Sequence, residues 1–275
     1  MTLLYRAPLC AALAAALLPV AALAADNSLA QPIPIADHLP APRDVPYPGT
    51  IDLTVDATDT ARGIFRVKEV IPVAAPGEMI LLYPQWLPGN HAPRGPIDDV
   101  AGFHITAGSR TLRWTRDPVN VYAIRVDVPT GVSAIELAFD YVSPVAGGQG
   151  RVVMTSEMLN LQWNLVTFYP AGYFTRRIMV EPTAILPDGW RYGTALEPAT
   201  ATSARRAAFK TVDFETLVDS PMISGRYYRA IELSPKVRLN IVADRPDELE
   251  TTEPQIAAHR RLVEQAIRLF GAEHY

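Results

Sequence analysis

The sequence predicts an all-β fold, with strands arranged as a β-sandwich or saddle-like sheets, followed by a C-terminal strand and one amphipathic helix. Three observations predict it. Apolar residues alternate with polar ones in many short runs, the period of a half-buried strand. Turn clusters such as "APGE", "PTG", "AGGQG" and "LPDG" separate those runs. Finally, 25 prolines in 275 residues leave little room for long helices.

The strands follow in order. "TIDLTVDAT" sets Ile51, Leu53 and Val55 against polar neighbours. "GIFRVKEVIPV" continues with Ile64, Phe65, Val67 and Val70. "EMILLYPQW" is more continuously apolar and reads as a central strand. Further strands are expected in "VAGFHITAG", "TLRWT", "NVYAIRVDV", "SAIELAFDYV", "LNLQWNLVTFY", "RRIMVEPTAI", "AAFKTVDFETLV", "SGRYYRAIEL" and "VRLNIVAD". Strands do not alternate with helical runs, which argues against a parallel α/β fold.

The chain ends differently. Thr252 with Gln255 three residues later forms a capping box, and Pro254 sits in the first turn. Ile256, Val263, Ile267 and Phe270 then recur at helical spacing as one apolar stripe. Gly271 reads as the C-cap. Such a stripe must be buried against something.

The start is a leader. Arg6 precedes an apolar stretch that closes on Ala22-Leu23-Ala24, so residues 1–24 read as a secretory signal peptide rather than a membrane anchor. Cleavage there leaves 24 basic and 29 acidic residues and no cysteine, since Cys10 lies in the leader. Disulfides and thiolate metal sites are then impossible, and a periplasmic or secreted location is expected. Residues 25–48, rich in proline, are expected to be a linker or an arm laid over the domain. The β domain is placed at 49–234 and the C-terminal strand and helix at 235–275.

Composition excludes some functions. A net charge of −4 with no basic patch argues against nucleic acid. No His-Glu-x-x-His occurs, and His38, His91, His104, His259 and His274 each read as solvated. No Gly-x-Ser-x-Gly elbow is present, and "AGGQG" lacks the Lys-Ser/Thr of a phosphate loop. Two stretches stand out, "YPQWLPGNHAPRG" and "LQWNLVTFYPAG". In each a Gln precedes a Trp near a proline turn. Gln85, Trp86, His91, Arg94, Gln162 and Trp163 are therefore the candidate ligand-side residues. The alternative makes Trp86 and Trp163 core anchors, Trp86 burying about 200 Å2. Pro88 and Gly89 suit a type II turn.

These stretches, with "LPDGWRYGTALE" and "LVDSPMISGRYYR", resemble the N-terminal region of the glycyl aminopeptidase family, gluzincin zinc metallopeptidases. The resemblance runs from about Pro46 to Tyr275. It implies an N-terminal β domain, a catalytic domain carrying the zinc site, and often a C-terminal PDZ domain. No position here receives a zinc ligand or general base, so the resemblance implies no cofactor in this chain. Zinc and a peptide substrate are expected only in a complete family member. The segment 235–275 then resembles the incomplete start of the catalytic domain. The chain is expected to be non-catalytic alone. The alternative is a free-standing periplasmic module binding peptide or glycan on an aromatic-rimmed sheet. No stable membrane anchor is expected in either case.

Overall fold

The computed structural model describes residues 38–86, 92–200 and 203–272. Contacts divide the chain into Met1–His38 and Leu39–Tyr275, and the second unit holds the fold. Its strands are β1 (Thr50–Asp59), β2 (Ile64–Pro72), β3 (Gly77–Leu82), β4 (Val100–Ala107), β5 (Arg110–Leu112), β6 (Trp114–Arg116), β7 (Ala123–Val128), β8 (Ala134–Val142), β9 (Met158–Leu161), β10 (Tyr169–Pro170), β11 (Met179–Ile185), β12 (Arg191–Gly193), β13 (Arg206–Ala208), β14 (Val212–Asp213), β15 (Met222–Gly225), β16 (Tyr227–Glu232) and β17 (Arg238–Ala243). Two α-helices accompany them, α1 (Phe214–Val218) and α2 (Glu253–Phe270). The fold is predominantly β, as the alternation predicts.

The largest sheet runs β13-β11-β1-β2-β8-β4-β5, with β14 also on β11. A second runs β10-β3-β7-β6, so β3 lies between two partners as its apolar run predicts. A third runs β12-β15-β9, and β16 pairs with β17 alone. All are open sheets. Period-two burial explains the large one. Ile51, Leu53, Val55 and Ala57 of β1 are fully buried, and Phe65, Val67 and Ile71 of β2 and Ile135, Leu137, Phe139 and Tyr141 of β8 face the same core. Glu69 sits on that core face too, between Leu53 and Leu137 in register.

Four expected strands resolve differently, and "SGRYYRAIEL" is one of them, dividing at Arg226 between β15 of the third sheet and β16 of the hairpin. "TLRWT" divides at Arg113: β5 belongs to the large sheet and β6 to the second. The chain changes sheets there. "AAFKTVDFETLV" gives β13, β14 and then α1. Asp213 accepts from the Thr216 backbone N–H at 2.9 Å, an N-cap that turns the end of the run helical. "LNLQWNLVTFY" is a strand only over β9; a 3-10 turn at Trp163–Leu165 follows, and β10 belongs to another sheet.

Within the Pro-rich arm, residues 43–47 lie on the domain. Arg43 N–H donates to the Gly172 carbonyl at 3.1 Å and Tyr47 N–H to that of Arg177 at 2.8 Å. The Tyr47 hydroxyl donates to the Pro72 carbonyl. α2 carries the expected caps: Gln255 Oε1 accepts from Thr252 N–H at 2.8 Å, and Gly271 adopts φ +70°. Only Ile256 of its stripe is buried. Val263 and Ile267 are half-covered, and Leu262, Leu269 and Phe270 are exposed. Among the described residues no helix is long and apolar enough to cross a membrane. The expected boundary at 234 falls between the two strands of the β16–β17 hairpin.

Candidate functional site

A cleft of about 610 Å3 opens where four irregular segments meet, one of them residues 149–153, which bring Gln149 and Arg151 to its wall. The first follows β3. Arg94 N–H and Gly95 N–H both donate to the Gln85 carbonyl, at 2.8 and 3.0 Å, closing the excursion between them. Gly95 is required there. A Cβ on it would lie 2.0 Å from the Pro84 carbonyl oxygen. Tyr122 holds the segment from outside: its hydroxyl donates to the Pro93 carbonyl at 2.9 Å. Tyr122 is placed in turn by the loop that Asp117 caps, accepting from Val119 and Asn120 N–H at 2.9 Å each and from Arg125 Nε at 2.8 Å. This scaffold delivers Arg94, Asp98 and Asp99 to the cleft.

The second segment is the floor. Residues 163–168 are all buried, yet they form no strand. Buried backbone without a ladder needs other partners. The Leu165 carbonyl accepts from the Tyr83 hydroxyl at 2.9 Å. Phe168 N–H donates to Glu69 Oε2 at 2.9 Å, and Thr167 Oγ1 bonds Glu69 Oε1 at 2.7 Å. Trp163 Nε1 donates to the Ser220 carbonyl at 3.0 Å, tying the floor to the third segment. That segment follows α1 and brings Val218, Asp219 and Pro221 to the rim.

The lining carries charges of both signs: Arg94 and Arg151, and Asp98, Asp99 and Asp219, with the amides of Gln149, Gln162 and Asn164. Tyr141 donates to Asp99 Oδ2 at 3.1 Å. Burial, then the neighbouring Asp98 charge, holds the Asp99 carboxyl above its ordinary value despite that bond. Asn164 is only 5% exposed, and its Nδ2 has no hydrogen-bond partner. A buried donor without an acceptor is costly.

The cleft brings together Arg94 and Gln162, one from each conspicuous stretch. It does not include the two tryptophans. Trp163 is fully buried and anchors the core, whereas Trp86 is 61% exposed. The expected burial of Trp86 is overturned because β3 ends at Leu82 and Tyr83 takes the anchoring role, fully buried with its hydroxyl on Leu165. Gln85 contributes through its backbone carbonyl. Pro88, Gly89 and His91 lie outside the described residues, so the turn and the histidine expected there are not placed. His38, His104 and His259 are exposed, as read from the sequence. Sequence reasoning missed Asp98, Asp99, Asn164 and Asp219. It missed Glu69 as well, and only Glu69 carried a signal: in Val67-x-Glu69-x-Ile71 an acid falls on the core face, which announces a buried polar contact.

Among the described residues no group of three or more His, Cys, Asp or Glu is arranged to hold a metal ion. They do not fit a zinc site.

Fold and site define an open-sheet β domain with a polar cleft. The family model for the Peptidase M61 N-terminal domain matches residues 52–226, more than half of the chain, and the chain belongs to that family. Residues 52–226 are thus an N-terminal domain of the Peptidase M61 kind. No curated protein matches it. Among solved structures, an aminopeptidase N family protein from Idiomarina loihiensis is similar, with a TM-score of 0.66 at 13% identity over 81% of this chain and 37% of that one. This chain therefore spans little more than a third of that protein's length. An M1 zinc metallopeptidase variant from Deinococcus radiodurans, solved with a Tyr-Ser-Ala substrate, gives a TM-score of 0.43 at 13% identity over 80% of this chain and 52% of that one. At these identities the first likeness bears on fold alone, and the second carries no argument.

Proposed function

We propose that this chain is the non-catalytic N-terminal β portion of a secreted or periplasmic aminopeptidase-like protein, and that its cleft is the face turned toward substrate. The cleft carries the reading: it gathers Arg94 and Gln162 with three aspartates around the unpartnered Asn164 amide. Carboxylates suit an ammonium group, and a buried amide N–H suits a carbonyl oxygen. Together they are complementary to a peptide's free amino end. Hydrolysis by a metal-activated water would need a ligand set that the described residues do not supply. Zinc chemistry belongs to the catalytic segment that longer family members are expected to carry.

The exposed side of α2 supports the same reading. Leu262 and Leu269 face solvent at 66% and 78% exposure. A self-contained binding module has no use for such a face, whereas an adjoining catalytic segment would cover it. The leader reading of residues 1–24 supports export, and a mature protein starting at Ala25 by N-terminal sequencing is the expected result.

The test uses the purified chain with alanyl-alanine amide. No turnover is expected. Weak binding that shifts the Asn164 side-chain NH2 resonances is expected, and the N-acetylated compound should not produce it. Equal shifts with the acetylated compound, or none with either, would reject the substrate-facing cleft. Zinc-dependent hydrolysis by this chain would reject its non-catalytic role.

A further inference from the structure

We propose that Glu69 is a proton-operated latch on the cleft floor: protonated, it holds residues 166–168 against the large sheet, and on losing its proton to solvent it releases them. Glu69 is 0% exposed. Its two oxygens meet Thr167 Oγ1 at 2.7 Å and Phe168 N–H at 2.9 Å, and the second contact satisfies a backbone donor of the floor.

The neutral acid fits this cradle completely. Oε2 accepts from Phe168 N–H. Thr167 Oγ1 donates to Oε1 at 2.7 Å and lies 3.4 Å from the Phe168 carbonyl, so once Oε1 is protonated it can donate back to Oγ1 while that hydroxyl turns to the carbonyl. The carboxylate does not fit as well. It would keep both contacts but would hold a full charge in a dry core without a counter-ion. Cross-strand neighbours are Leu53 on β1 and Leu137 on β8. Among the described residues the titratable side chains of this core are Tyr47, Tyr83, whose ring lies 5.2 Å from that of Phe168, and Tyr141 on β8, with Tyr169 packed against it. Burial keeps all four hydroxyls neutral. Among the described residues no charged side chain acts on the Glu69 carboxyl, and burial pushes it up to about 8 against the two hydrogen bonds that lower it.

The cheapest relief for the ionised form is to admit water by lifting the covering segment. Phe168 packs on Phe103 at 4.9 Å and Phe139 at 5.3 Å, so lifting it loosens an aromatic cluster. The same segment carries Asn164 and Leu165 in the cleft wall. Proton loss at Glu69 would thereby reshape the cleft from behind. The inference concerns the floor's order and stands whatever the cleft binds.

Hydrogen exchange of the amides at 163–168 tests it on the full chain. Protection, corrected for intrinsic exchange, is read from pH 5 to 8. One proton held by the closed form and lost by the open form makes protection fall about tenfold per pH unit across that window. In Glu69→Gln, whose amide donates to Thr167 and accepts from Phe168, protection should be flat. A flat wild-type profile would overturn the latch, as would an equal slope in the variant. An equal fall at every amide of β1 and β2 would show an effect on the whole fold and overturn it too. Should the variant not fold, the Glu69 carboxyl 13C shift in the wild type decides: a midpoint near 8 supports the latch, and one in the ordinary glutamate range overturns it.

Discussion

The two tryptophans that follow a glutamine are predicted to differ sharply in what they contribute to stability. Trp163 is fully buried, and its indole N–H donates to the Ser220 carbonyl. Replacing it with alanine returns about 200 Å2 of apolar contact, which at ~25 cal/mol per Å2 sets a ceiling of about 5 kcal/mol. Trp-to-Ala changes in cores typically cost about 3–5 kcal/mol. The lost hydrogen bond adds less than its full value, because Ser220 still accepts from Thr194 Oγ1 at 3.3 Å. An overall cost of about 4 kcal/mol is expected. Trp86→Ala, at a site 61% exposed, should fall within about 0.5 kcal/mol of wild type. Urea unfolding followed by far-UV circular dichroism measures both without relying on tryptophan emission. If Trp163→Ala leaves too little folded protein, Trp163→Phe substitutes, with an expected loss of about 1–2 kcal/mol. Comparable losses at the two positions, or a larger one at Trp86, would refute the assignment of Trp163 as anchor and Trp86 as surface.

Further predictions follow from the scaffold. Gly95→Ala should destabilise by about 2 kcal/mol or more, because its Cβ would collide with the Pro84 carbonyl and the backbone has to move; thermal unfolding reads it. Asp117 is held down to about 2 by the Asn120 and Val119 backbone N–H groups and then by Arg125, so its contribution is complete above pH 3.8 and fades as pH falls toward 2. Asp117→Asn should flatten acid destabilisation in that window while lowering stability at neutral pH. Replacing Leu262 and Leu269 together with glutamine should leave the thermal midpoint of this chain nearly unchanged, since both are already solvated.

The strand pattern was legible where one face of a strand is buried and the other wet. In β1, β2 and β8 the alternation of Ile51-Leu53-Val55, Phe65-Val67 and Leu137-Phe139 maps directly onto burial. It failed where that condition fails. Residues 163–168 are buried on all sides without being a strand, and a run of apolar residues looks the same in either state. The bend at Arg113 and the cap at Asp213 are local geometry that periodicity does not register. The helix was legible because its caps and stripe are local, and Gln255 and Gly271 sit where the sequence puts them.

The site was half legible. Arg94 and Gln162 were found because proline turns and amide-tryptophan pairs are unusual in a plain sheet. Their partners Asp98, Asp99 and Asp219 look like ordinary surface acids in sequence, and only tertiary placement gathers them into one cleft. The similarity between the two Gln-Trp pairs was misleading in itself. Burial of the tryptophan depends on which neighbour reaches the core first, and after β3 that neighbour is Tyr83.

The central claim is that this family member's N-terminal unit supplies a substrate-facing wall and no hydrolytic machinery. Hydrolysis of glycyl and alanyl amides by the purified chain, assayed with added zinc, tests it most directly. The account predicts no turnover above the buffer rate. Sustained, zinc-dependent release of amino acid would contradict it.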